Sequence, residues 1–135
     1  MKTLNYEYND MNCKVILEIG SYQNNGRLYL GLINRYSGDY FLDITVNLTY
    51  ESLDKHMAFI DDFAKSCGVI QFIEENQLGK VMSGQGHSGY NNYTIVKFDI
   101  EKLREFNKEG VDQYLQDLKK RECRDKKNKS KGMER

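Results

Sequence analysis

From Leu4 to Leu48 apolar residues recur at every second position within successive short runs, and a period of two marks strands that bury one face. Leu4, Tyr6 and Tyr8 open the series. Cys13, Val15, Leu17 and Ile19 then share a face that Lys14 and Glu18 avoid, and Leu28, Leu30 and Leu32 do the same within Arg27 to Arg35. Tyr40, Leu42, Ile44, Val46 and Leu48 alternate with Phe41, Asp43, Thr45 and Asn47, which predicts one strand over residues 40–48, the cleanest of the set. Asn24-Asn25-Gly26 and Tyr36-Ser37-Gly38-Asp39 supply turn residues between these runs. Links this short join antiparallel neighbours, because a parallel crossover takes about a dozen residues or more. The first half therefore predicts a meander of about four strands.

After Tyr50 the pattern changes. Met57 to Ile60 is a short apolar run, and Val69, Ile70, Phe72 and Ile73 predict a helix ending near Leu78-Gly79, with Gly79 as its C-terminal cap. Residues 80–93 are rich in Gly, Ser and Asn and predict a loop, followed by a strand over Thr94 to Phe98. Asp99 is placed to cap a helix carrying Ile100, Leu103 and Phe106. Val111, Tyr114, Leu115 and Leu118 continue at helical spacing after a break at Asn107 to Gly110, so a C-terminal helix should pack this stripe on the sheet. The expected fold is α+β, an antiparallel meander of about four to five strands packed by two to three helices, with a basic C-terminal helix or tail.

The 20 basic and 20 acidic residues cancel, but unevenly. Lys119 to Arg135 holds nine basic residues against three acids, a net of +6, which leaves residues 1–118 with 11 against 17, a net of −6. A length of 135 residues fits one domain, expected over residues 1–118, with 119–135 as a basic extension. Cys13, Cys67 and Cys123 are far apart and form no C-x-x-C pair, a spacing that fits reduced thiols better than disulfides or zinc. No signal-like apolar region follows Met1 and no run has the length of a membrane span, so the expected location is cytoplasmic.

The candidate chemistry is sparse. Gly84-Gln85-Gly86-His87-Ser88-Gly89 spells G-x-G-x-x-G, but a dinucleotide site needs that motif after a strand and at the start of a helix, whereas here it follows a predicted helix and leads towards a strand. His56 and His87 are too far apart to form a metal pair at helical or hairpin spacing, and no nucleophile elbow or cysteine-protease signature occurs. No catalytic residue, cofactor or metal is therefore expected, and the chain is not read as an enzyme. Ten tyrosines are the one unusual abundance: Tyr22, Tyr36, Tyr40 and Tyr50 lie near strand ends and Tyr90 and Tyr93 in the predicted loop. Tyrosine suits both recognition surfaces and sheet margins. The expected partner-binding residues are Tyr90, Asn92 and Tyr93, with Lys119, Lys120, Arg121, Arg124, Lys126 and Lys127 supplying charge.

Tyr22-Gln23-Asn24-Asn25-Gly26-Arg27-Leu28, Thr45-Val46-Asn47-Leu48, Ala58-Phe59-Ile60-Asp61, Asn76-Gln77-Leu78-Gly79, and Ser88-Gly89-Tyr90 through Tyr93 to Phe98-Asp99 keep an order that resembles a family of small uncharacterised proteins. That family occurs on phages, plasmids and integrative elements of Gram-positive and gut bacteria. The resemblance covers residues 10 to 105 and leaves out the basic end; relatives tend to carry proline where this chain has Thr94. It implies a setting, the bacterial host cytoplasm, and brings no established activity. Small mobile-element proteins often bind a host component, so the expected function is binding of a host protein or nucleoprotein, as in anti-CRISPR and other anti-defence inhibitors. The alternatives are nucleic-acid binding through the basic segment and small-ligand binding through the Gly84 to Gly89 loop.

Overall fold

The computed structural model describes the backbone of residues 2–49, 51–88 and 91–133, and their side chains except at 87, 88, 91 and 124–133. Four strands form a first sheet in chain order: β1 (Thr3–Tyr8), β2 (Met11–Ser21), β3 (Leu28–Asn34) and β4 (Tyr40–Asp43), each antiparallel to the next. This is the predicted meander. The register sets Leu17 opposite Leu32 and Ile19 opposite Leu30, so the alternating residues bury one common face.

Residues 40–48 do not make one strand. The chain leaves the first sheet after Asp43 and enters a second at β5 (Thr45–Val46), whose order is β5-β6-β8-β7 with β6 (Met57–Ile60), β7 (Gly79–Ser88) and β8 (Asn91–Phe98). Ile44 is the crossing point: its N–H donates to the Leu30 carbonyl at 2.9 Å, and its own carbonyl accepts from the Asp61 N–H at 2.9 Å. The crossing interrupts the alternation of burial, since Ile44 and Thr45 are both buried while Val46 is half-buried, although the apolar residues keep their period of two in the sequence. Thr45, on the polar side of the alternation, is only 3% exposed; its hydroxyl accepts from the Leu30 N–H and bonds the Tyr22 hydroxyl at 2.9 Å.

Residues 80–93 form most of a hairpin rather than a loop. β7 and β8 pair from Gly79 opposite Phe98 to Ser88 opposite Asn91, with a register shift between Val81 and Gln85. Four steps along β7 there answer two along β8, from Val96 to Thr94, and such a bulge bends the ribbon. One glycine of this stretch serves packing: a Cβ at Gly86 would lie 2.2 Å from the buried Phe59 ring, whereas one at Gly84 would meet only the Ile95 side chain, at 3.9 Å.

The helices are α1 (Asp62–Ser66), α2 (Val69–Glu75), α3 (Ile100–Phe106) and α4 (Lys108–Met133). Asp99 caps α3 as expected, accepting from the Lys102 N–H at 3.2 Å. Gly79 is not a cap: α2 closes at Asn76, Gln77 takes the left-handed conformation, and Gly79 begins β7. The break before α4 is the single residue Asn107, whose amide donates to the Leu17 carbonyl and accepts from the Gly110 N–H. Gly110 lies inside α4 and lets that helix approach the Ile19 carbonyl. α4 packs along β2 and α3, burying Val111 and Tyr114 in a core shared with Leu17, Leu30, Ile44, Ile60 and Val96.

The two glycines give a paired prediction. Gly86→Ala should destabilise the fold by about 1–3 kcal/mol through overpacking, while Gly84→Ala should be close to neutral; urea unfolding of both variants measures the difference.

Candidate binding surfaces

α4 is tied to both sheets by three side chains on its inward arc. The Ser21 hydroxyl donates to Asp117 at 2.6 Å, and this bond with one from Gln113 holds the Asp117 carboxyl below its usual range. The Tyr114 hydroxyl meets both the backbone N–H and the Nδ1 of His56 at 3.1 Å. The Arg121 guanidinium donates to the carbonyls of Gln23 and Asn24 in the β2–β3 turn. That turn closes through the Gly26 N–H to the Tyr22 carbonyl at 2.7 Å, with Gly26 at φ 72° and directly under the Arg121 side chain, so a side chain there would meet strain and collision together.

The same turn is fastened to the second sheet. Asn47 bonds Asn24 and Asn25 side chains at 2.9 and 3.0 Å, and Arg27 donates to the carbonyls of Leu48 and Glu51 while lying over the Phe59 ring at 6.0 Å. Partial burial lowers the Arg27 pKa. Two of the stretches that carry the family resemblance, Tyr22 to Leu28 and Thr45 to Leu48, therefore meet as one latch. Their separation in sequence hides this, since neither stretch alone has a polar residue that demands the other.

Arg121, one of the residues expected to supply charge for partner binding, also donates to the carbonyls of the turn. Lys119 and Lys120 are exposed on α4. The helix continues for 12 residues beyond Arg121, about 18 Å, and carries positions 124, 126 and 127, whose side chains fall outside the described residues. A helical period sets positions 120, 124, 127 and 131, all Lys or Arg, within about 60° of arc. The anchoring residues Gly110, Tyr114, Asp117, Leu118 and Arg121 occupy a different arc, and Glu122 and Asp125 fall on their side.

Tyr90 lies outside the described residues. Asn92 and Tyr93 sit on β8, paired with His87 and Gly86, with Asn92 exposed and Tyr93 half-buried. Their hairpin packs on β6 and α2, while α4 packs on β2 and α3, so the two predicted groups stand on separate elements. Four other tyrosines are structural: Tyr6 and Tyr114 are buried, and Tyr22 and Tyr29 bond Thr45 and Asp43. Tyr36 and Tyr40, at 82% and 68% exposure, flank the β3–β4 turn. Among the described residues no group of three His, Cys, Asp or Glu is arranged to hold a metal ion, and no helix is long and apolar enough to cross a membrane.

Two four-stranded antiparallel sheets with packed helices make this an α+β protein. The chain belongs to a family described as a domain of unknown function, DUF4313, which it matches over residues 16–118. The match takes in the latch, His56 and Tyr114, and stops immediately before Lys119. Neither the curated proteins nor the solved structures give a significant match.

The His56–Tyr114 contact predicts a pH dependence. Burial, then Lys55 and Lys97, lower the His56 pKa, with Glu122 opposing them. The unfolded chain therefore takes up a proton first, so stability is full above the unfolded value of 6.5 and falls as pH drops below it. Urea midpoints measured from about pH 7.5 down to about 5 should show this decline, and His56→Asn, which tolerates the positive φ, should lose it.

Proposed function

We propose that this is a non-enzymatic binding protein of a phage or other mobile element that engages a host nucleoprotein and inhibits a defence system of the host cell. The carrying observation is the continuity of α4: one helix is anchored along its first half, and its backbone sets Lys and Arg positions 120, 124, 127 and 131 on an arc that its anchors do not use. A preformed basic helix suits phosphate contacts, because the charges are already spaced and little chain entropy is lost on binding. The −6 charge of residues 1–118 directs a polyanion to that end. The mobile-element setting rests on the ordered stretches that resemble proteins of such elements.

The nucleic acid is the part of a nucleoprotein that this helix addresses. Binding to duplex DNA and to RNA, followed by fluorescence anisotropy at several salt concentrations, should give a slope of log K against log salt of about −3 to −4 if four phosphates are contacted. Truncation after Glu122 keeps the Arg121 clamp and should abolish binding without changing the melting temperature by more than a few degrees. A salt-insensitive affinity, or one that survives the truncation, contradicts the reading. Host proteins recovered with the full chain should be lost both on nuclease treatment and on truncation.

A further inference from the structure

A second charged feature lies at the other sheet. Lys80 and Lys97 are directly opposite in the β7–β8 register, so both project from the same face of the ribbon, and both are exposed. Like charges in directly opposed positions are destabilising. Among the described residues neither lysine forms an ion pair, although Glu74 and Asp99 line the same open depression of about 690 Å³. Gln77, Gly79, Val81 and Phe98 complete its lining, and Val81 keeps 37% of its surface exposed. β7 is an edge strand of its sheet, and an edge offers backbone donors and acceptors to an added chain.

We propose that the Lys80–Lys97 pair is a docking point for an extended, carboxylate-bearing segment of a partner protein. Residues opposed across adjacent strands lie about 5 Å apart at Cα, so one carboxylate can bridge both ammonium groups and relieve their repulsion. The mixed lining selects the class of partner. Glu74 and Asp99 beside the lysines repel the continuous charge of a nucleic acid, whereas a peptide can place single acids on the lysines and neutral residues elsewhere. This inference uses a surface separate from α4 and does not need the nucleic-acid reading.

The test uses the full chain and a fluorescein-labelled peptide of alternating glutamate and threonine, with anisotropy read at low salt. Lys80→Glu should weaken peptide binding at least tenfold while leaving the melting temperature equal or higher, because it replaces a repulsive pair with an attractive one. Lys97→Glu should do the same, and Lys65→Glu, at an exposed lysine of α1, should leave the peptide affinity unchanged. Unchanged affinity in Lys80→Glu, or no binding by the unaltered chain, overturns the proposal. So does a single-stranded oligonucleotide that displaces the peptide and depends on Lys80 and Lys97 as strongly.

Discussion

One buried hydroxyl holds the seam between the two sheets. Thr45 Oγ accepts from the Leu30 N–H on the first sheet and bonds the Tyr22 hydroxyl, while its own strand pairs with β6 in the second. Beside it Ile44 is bonded on both sides, to Leu30 and to Asp61. Without these contacts the Leu30 N–H would be buried unbonded, at a cost of about 1–3 kcal/mol, and the chain would have no reason to change sheets at this residue. The crossing brings Asn47 and Leu48 under the β2–β3 turn, where Asn24, Asn25 and Arg27 engage them.

The latch in turn sets the course of α4. Arg121 grips the carbonyls of the same turn that Asn47 and Arg27 stabilise from below, and Tyr114 reaches His56 at the entrance to β6. The helix is thus referenced to both sheets before its basic half begins. Arg121 is the boundary: residues up to it are committed to the body, and the helix continues past it. Polar side chains bonded to backbone carbonyls suit this role because carbonyl positions are fixed by the strands themselves.

Much of this was legible in the residues. The alternation from Leu4 to Leu42 announced the meander, Asp99 announced the start of α3, and the stripe from Val111 to Leu118 announced a docked helix. The sheet crossing was not, because Leu42, Ile44, Val46 and Leu48 carry the apolar period straight through it in the sequence. The glycine-rich hairpin reads as a loop from composition because glycine is a poor strand former in isolation; its reason, the Phe59 ring against Gly86, lies more than twenty residues away. Of the candidate site, the basic residues were visible from charge alone, but the use of Arg121 as a clamp was not, and the opposed Lys80 and Lys97 needed the register of a hairpin that the composition concealed.

The central claim is that α4 has two faces, one committed to the fold and one to a phosphate-bearing partner. Amide chemical shifts recorded while a short duplex is added test it most directly. The account predicts changes concentrated between Lys119 and Lys131, with the amides of Val111, Tyr114 and the β2–β3 turn unmoved. Changes centred on the β7–β8 hairpin or the first sheet, with the distal half of α4 unaffected, would contradict it.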